Sequence, residues 1–191
     1  TTADINFCVP GVLLGHGDME DSSSVEYSVC PDWMPYSAGN GAASWAKEKT
    51  VVHSGLAAQR TKNINASAGS LIGVYQTIDA NVGDAFTFEG WVYPETNPAY
   101  AQAAMAVRWD GSTLIPDGTA SWKISGGPRL VWTKVQGFSG NATSDHVTLF
   151  LDSRQKSGSV SITAYWDDVA SYRAYVPPPP TVSVASNTSL N

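Results

Sequence analysis

The sequence predicts an all-β protein, one two-sheet antiparallel jelly-roll sandwich with almost no helix. Three observations carry that expectation. Apolar and polar residues alternate with period two along several segments, no amphipathic helix of useful length is present, and Gly, Asn, Asp and Pro turns recur at short intervals. Many short strands punctuated in this way favour a sandwich over alternating strand–helix units.

The clearest strand runs over 85–93. Phe86, Phe88, Gly90 and Val92 fall on one face, and Thr87, Glu89, Trp91 and Tyr93 on the other. Further strands are expected over 71–78, 103–109, 131–136, 146–151 and 160–167. Turn residues separate them at Asn81–Asp84, Asp110–Ser112, Asp117–Thr119, Ser125–Pro128, Ser139–Asn141 and Lys156–Gly158. The segment 42–49 reads as a short helix or as a loop leading into Val51. The expected organisation is a sandwich over 1–176, followed by a Pro-rich segment at 177–191. The four prolines Pro177–Pro180 cannot donate ladder hydrogen bonds. After them, Thr181–Ala185 alternates as a strand would, which suits the start of a following module or a strand exchanged with a neighbouring subunit.

Composition narrows the function. The hydrophobic fraction of 42% is ample for a core, and no apolar run is long enough to insert in a membrane as a helix. The net charge of −6, with only 11 scattered Lys and Arg, argues against nucleic acid as a partner. Cys8 and Cys30 are the only cysteines. A bond between them would contribute roughly 3 kcal/mol by the chain-entropy argument and fit an oxidising compartment; two buried thiols are the alternative.

Three segments stand out together: Gly15-His16-Gly17-Asp18-Met19-Glu20, Val51-Val52-His53-Ser54-Gly55 and Tyr165-Trp166-Asp167-Asp168-Val169. As a set they resemble the carbohydrate-binding-module β-sandwiches of the galactose-binding-like fold, over roughly residues 11–175. Those domains open on an Asn-x-Gly-Phe-Glu-like strand entry, turn at His-Ser-Gly and close on Asp-Asp-Val. Here His16 stands for the opening Asn and Met19 for the Phe. The resemblance implies a structural Ca²⁺ held by Glu20 and Asp168, with help from Asp18 and Ser54. Such a hard cation takes six to eight oxygens at about 2.3–2.6 Å. It also implies a secreted or surface multidomain protein with a polysaccharide partner.

Seven Trp and eight Tyr supply the flat platforms on which sugar rings stack. Trp91, Tyr93 and Glu89 share the face opposite the expected core. Trp109, Arg108, Tyr75 and Gln76 lie on strands expected beside them, and the seven are read as one groove. Trp132 and Trp166 match positions that pack in the resembling family, so they are left out of it. No active site is read: Glu89, Glu95, Asp110, Asp117 and Asp152 show no pairing in their spacing, and His16, His53 and His146 accompany no nucleophile elbow. The expectation is therefore a non-catalytic glycan-binding module. The alternative is a structural or adhesive subunit of a surface layer, filament or virion without a sugar site.

Overall fold

The computed structural model describes residues 14–20, 29–116, 120–125 and 127–174. Ten strands form two five-stranded sheets in which every pairing is antiparallel: β1 Met34–Ala38, β2 Ala42–Glu48, β3 Ala58–Ser67, β4 Leu71–Asp79, β5 Ala85–Pro94, β6 Ala101–Arg108, β7 Ser121–Ile124, β8 Thr133–Asn141, β9 His146–Gln155 and β10 Ser159–Ala174. The first sheet has the order β1-β4-β9-β6-β7 and the second β2-β3-β10-β5-β8. The described residues contain no helix. The all-β antiparallel sandwich expected from the sequence is the fold observed.

The core lies between the sheets. Val74, Ile78, Met105, Val107, Leu149 and Leu151 face inward from the first sheet, and meet Phe86, Phe88, Val92 and Trp166 from the second. These positions follow the period-two rule, which is why β4, β5, β6 and β9 were legible. Four strands were not. Residues 42–48 form β2 rather than a helix or loop: they pair along β3, and Trp45 donates its indole N–H to the Gly73 carbonyl of the opposite sheet at 2.8 Å. Strand β3 is polar along much of its length, and β1 and β7 are short edge strands.

Strand β10 runs past its expected end at Asp167. Its register with β5 shifts between Asp167 and Ala170, the signature of a bulge, and Asp168 adopts φ +46 within it. The freed Val169 N–H donates to the Gly17 carbonyl at 2.7 Å. Gly17 must be glycine there, because a Cβ would run into the Val169 carbonyl. The opening segment is pinned a second time by Gln76, whose amide pairs with Gly15 N at 2.9 Å, Gly15 O at 3.0 Å and Asp32 O at 3.1 Å. Gln76 therefore points inward and serves the fold, not a groove. Cys8 and the segment 177–191 lie outside the described residues, and with them the proposed Cys8–Cys30 pairing and the reading of the tail. Cys30 itself is buried, with its Sγ 3.5 Å from the Met19 carbonyl.

Replacing Gln76 with Leu should leave three buried or half-buried backbone groups without a partner. Urea unfolding should show a loss of about 1–3 kcal/mol, the usual cost of orphaned polar groups.

Candidate functional site

Trp91, Tyr93 and Glu89 do face away from the core, half-buried on the outer side of the second sheet. The company they keep differs from expectation. Strands β4 and β6 belong to the other sheet, so Tyr75, Gln76, Arg108 and Trp109 cannot line one groove with them. Trp109 packs on the core beside Phe88, with ring centroids 6.0 Å apart, and donates to Ser121 Oγ at 3.0 Å. Arg108, nearly buried, makes a two-point contact with Asp110 at 3.2 and 3.1 Å. Sequence alternation assigns a residue to a face of its strand but says nothing about which sheet the strand joins.

The outer face of the second sheet is largely satisfied from within. His53 stacks on Trp91 at 3.9 Å and 18°, and meets Trp132 edge-on at 5.5 Å. Tyr93 lies between Trp132 and Tyr165. Glu89 holds Lys134 at 3.0 Å and accepts from the Tyr172 hydroxyl at 3.1 Å, while Tyr165 donates to Glu95 at 3.0 Å. With an imidazole already stacked on it, the Trp91 ring has one face fewer to offer a sugar.

The loop over 51–57 carries His53 and closes on the β10 bulge. Asp167 accepts three backbone N–H groups, from His53 at 2.8 Å, Ser54 at 3.2 Å and Asp168 at 2.8 Å. Burial nevertheless pushes its carboxyl up to about 6, with those bonds opposing and the Asp168 charge assisting. Ser54 donates to the Asp168 carboxylate at 2.9 Å, and His53 Nδ1 lies 2.7 Å from it. From the other side Glu20 accepts from Leu56 N at 2.7 Å and Ala57 N at 3.2 Å. A Cβ on Gly55 would strike the Glu20 carboxylate. Asp18 accepts the Glu20 N–H at 3.3 Å. Glu20, Ser54 and Asp168 thus gather on one loop, and Asp18 joins through Glu20. Among the described residues no three His, Cys, Asp or Glu side chains are grouped to hold a metal. The donor set is hard oxygen throughout, which suits Ca²⁺ if backbone carbonyls complete it.

The outer face of the first sheet is built differently. Cross-strand register places Met34, Tyr75, Phe150, Ala106 and Trp122 in one row. Tyr36, Gly73, Asp152 and Ala104 form the next, and Arg154 and Gln102 lie beyond them. Tyr36, Tyr75 and Phe150 form an aromatic cluster with centroids 5.4–6.2 Å apart. Gly73 is what lets the Tyr36 ring lie across the sheet: a Cβ there would stand 2.6 Å from the ring edge. On the other side of Asp152 the small Ala104 leaves an open hollow of about 310 Å³, lined by Gln102, Ala104, Trp122, Asp152 and Arg154. The Arg154 guanidinium lies 4.5 Å over the Trp122 ring.

This hollow ends on polar atoms that the fold does not satisfy. Both carboxylate oxygens of Asp152, the Tyr36 hydroxyl and Arg154 Nε are buried without a hydrogen-bond partner. Arg154 Nη2 stands 3.6 Å from Asp152, close enough for charge but beyond a hydrogen bond. Burial pushes the Asp152 carboxyl up to about 7, and Arg154 offsets only part of that. Burial first, and Asp152 second, hold the Tyr36 phenol well above its ordinary range.

No family model matches this chain, and no curated protein is similar to it in sequence. Solved structures share its fold. TmCBM61, determined in complex with β-1,4-galactotriose, has a TM-score of 0.54 at 13% identity, covering 86% of this chain and 99% of that one. The CBM22-1 xylan-binding domain of Paenibacillus barcinonensis Xyn10C has a TM-score of 0.53 at 14% identity, covering 86% and 95%. The enzymatically active domain of bacteriophage CBA120 tailspike protein 4 has a TM-score of 0.56 at 11% identity, covering 85% of this chain and 21% of that one. The chain has the β-sandwich fold of carbohydrate-binding modules.

On this β-sandwich, Tyr36, Phe150, Asp152, Arg154 and Trp122 are the candidate residues that sequence reasoning missed, and Tyr75 is the one it shared. A signal was present. Phe150, Asp152 and Arg154 sit at every second position, so the alternation of β9 continues beyond Leu151, but in polar residues that read as the end of a strand.

A carboxyl whose folded pKa is raised is protonated more readily in the folded chain than in the unfolded one. Stability from Asp152 is therefore fullest below about pH 4 and falls as pH rises toward about 7. Asp152→Asn should be more stable than the wild type at about pH 8, by on the order of 4 kcal/mol at most. The difference should vanish toward about pH 4. Asp167 declines in the same direction in both proteins, so comparing their thermal melts across pH isolates Asp152.

Proposed function

We propose that this chain is a non-catalytic carbohydrate-binding module of a secreted or surface multidomain protein, and that it takes a glycan into the trough on the outer face of the first sheet. The observation that carries this reading is the buried, unpartnered trio of Asp152, the Tyr36 hydroxyl and Arg154 Nε beside Trp122 and the Tyr36–Tyr75–Phe150 cluster. Native folds rarely leave buried polar groups unpaired, because each costs about 1–3 kcal/mol or more. A pyranose supplies what is missing: hydroxyls that both donate and accept, carried on a ring with apolar C–H faces that suit aromatic walls. Concave sites combining apolar lining with a few convergent polar groups are where small ligands bind. The structural neighbours solved with galactotriose or described as xylan-binding supply the first probes.

Affinity electrophoresis through soluble galactan, xylan and a panel of other neutral glycans tests this. Trp122→Ala and Asp152→Ala should each abolish retardation or cut affinity at least tenfold, about 1.4 kcal/mol. Trp91→Ala should leave it within about twofold, which at under half a kcal/mol is the size of a distant substitution. The reverse result would move the site to the second sheet. Retardation by none of the glycans would favour the structural or adhesive alternative.

The cation belongs to the same proposal. Glu20 and Asp168, with Ser54 and Asp18 beside them, would hold a Ca²⁺ that ties the opening segment and the β10 bulge to the 51–57 loop. A ligand that binds only the folded chain adds about 2.7 kcal/mol at a hundredfold excess over Kd. Chelation by EDTA should lower the melting temperature of the wild type, and Asp168→Ala should lose that response. An unchanged wild-type melt would leave the loop held by its hydrogen bonds alone.

A further inference from the structure

Asp152 occupies an unusual position for an acid. It has no exposed surface, and neither of its oxygens has a hydrogen-bond donor. The groups around it are few. Tyr36 leans over from β1 across Gly73, and β4 contributes no charge: Tyr75 stands in the adjoining row against Phe150. From β6 come Ala104 and the neutral Gln102, and β7 brings Trp122. Among the described residues the one full charge beside it is Arg154 on β9 itself, 3.6 Å away, with its guanidinium over Trp122 and its Nη2 3.5 Å from the Pro116 carbonyl. The fold thus surrounds a carboxyl with an aromatic wall and a hollow, and the Arg154 charge and the nearby Tyr36 hydroxyl offset only part of what burial costs its ionised form.

We propose that glycan binding in this trough is coupled to the loss of one proton from Asp152, so that affinity rises as pH rises. This rests on the trough being the glycan site. In the free protein burial outweighs the Arg154 charge and the Tyr36 hydroxyl beside the carboxyl, which keeps its proton into the neutral range, its pKa pushed up to about 7. Once the part-exposed Arg154 side chain shifts to admit them, sugar hydroxyls entering the hollow would donate to the carboxylate in charge-assisted hydrogen bonds, about twice as strong as neutral ones. The ionised form gains more from the sugar than the protonated form does. The proton leaves to solvent, and the Arg154 guanidinium remains beside the new charge. Linkage is reciprocal: the sugar weakens proton binding, and the proton weakens sugar binding by the same factor. Well below the neutral range each pH unit should cost tenfold in affinity, the limit for one proton, and above it the dependence should flatten.

Isothermal titration calorimetry of the folded protein with β-1,4-galactotriose and with xylan oligosaccharides, from about pH 5.5 to about pH 8.5, provides the test. The expected result is an affinity falling about tenfold per pH unit on the acid side. Near pH 6.5 the enthalpy should differ between buffers of different ionisation heat, giving release of roughly three quarters of a proton per sugar bound, rising toward one at lower pH. Asp152→Asn should bind more weakly than the wild type at high pH and show no slope. Trp91→Ala, outside the trough, should keep the wild-type slope. Binding with neither slope nor proton release would overturn the coupling and leave the glycan site standing. Loss of the slope in Trp91→Ala would place the titrating group on the second sheet and overturn the assignment to Asp152. Should Asp152→Asn fail to fold, the same titration of Asp167→Asn, which should keep the wild-type slope, separates the two raised carboxyls. Absence of binding to either sugar across the whole range would overturn the site and the coupling together.

Discussion

Strand β9 is buried on both faces, and the two faces do different work. Leu149 and Leu151 point into the core between the sheets, while Phe150 and Asp152 are equally hidden on the outer side. A central strand in an antiparallel sheet can ordinarily leave one face to water. Here the outer face is covered by side chains leaning in from its neighbours, Tyr36 and Tyr75 on one flank and Trp122 on the other. Everything proposed for the trough follows from that covering. It removes water from the Asp152 carboxyl without replacing the hydrogen bonds that water would supply, and it does so beside a hollow left by Ala104.

The contrast between the two outer faces is one of satisfaction rather than of aromatic content. The outer face of the second sheet carries Trp91, Trp132, Tyr93 and Tyr165, and most of its polar groups are paired, Glu89 with Lys134 and Tyr172, Tyr165 with Glu95, Asp167 with three N–H groups, though the buried Arg60 Nε has no hydrogen-bond partner. Rings packed on each other and on His53 stabilise the sandwich. On the first sheet, among Tyr36, Tyr75, Phe150 and Trp122, the Asp152 carboxyl and the Tyr36 hydroxyl are buried without a well-formed hydrogen bond.

The β10 bulge links the chain's opening segment to its closing strand. One irregularity in the ladder frees the Val169 N–H for Gly17 and turns Asp167 and Asp168 toward the 51–57 loop, where Glu20 arrives from the opposite side. The three segments whose residues resemble the family pattern are the three that meet here. Their distance in sequence is bridged by hydrogen bonds between backbone and carboxylate.

Period-two alternation determined the fold class and the inward faces of β4, β5, β6 and β9, because burial of one face is written directly into the order of apolar and polar residues. It placed Trp91 and Tyr93 outward for the same reason, and the opening, middle and closing motifs located the loop that gathers Glu20, Ser54 and Asp168. Tertiary structure alone decided which strands share a sheet, and so separated Tyr75 and Gln76 from Trp91. It also turned 42–48 into a strand, since β2 exists by pairing with β3 and not by its own pattern. The candidate site was the least legible part. Asp152 in sequence is one acid among seventeen. Only the cross-strand row that sets it between Gly73 and Ala104, under the Tyr36 ring, makes it buried and unpaired, and register between distant strands is a property no local stretch of residues contains.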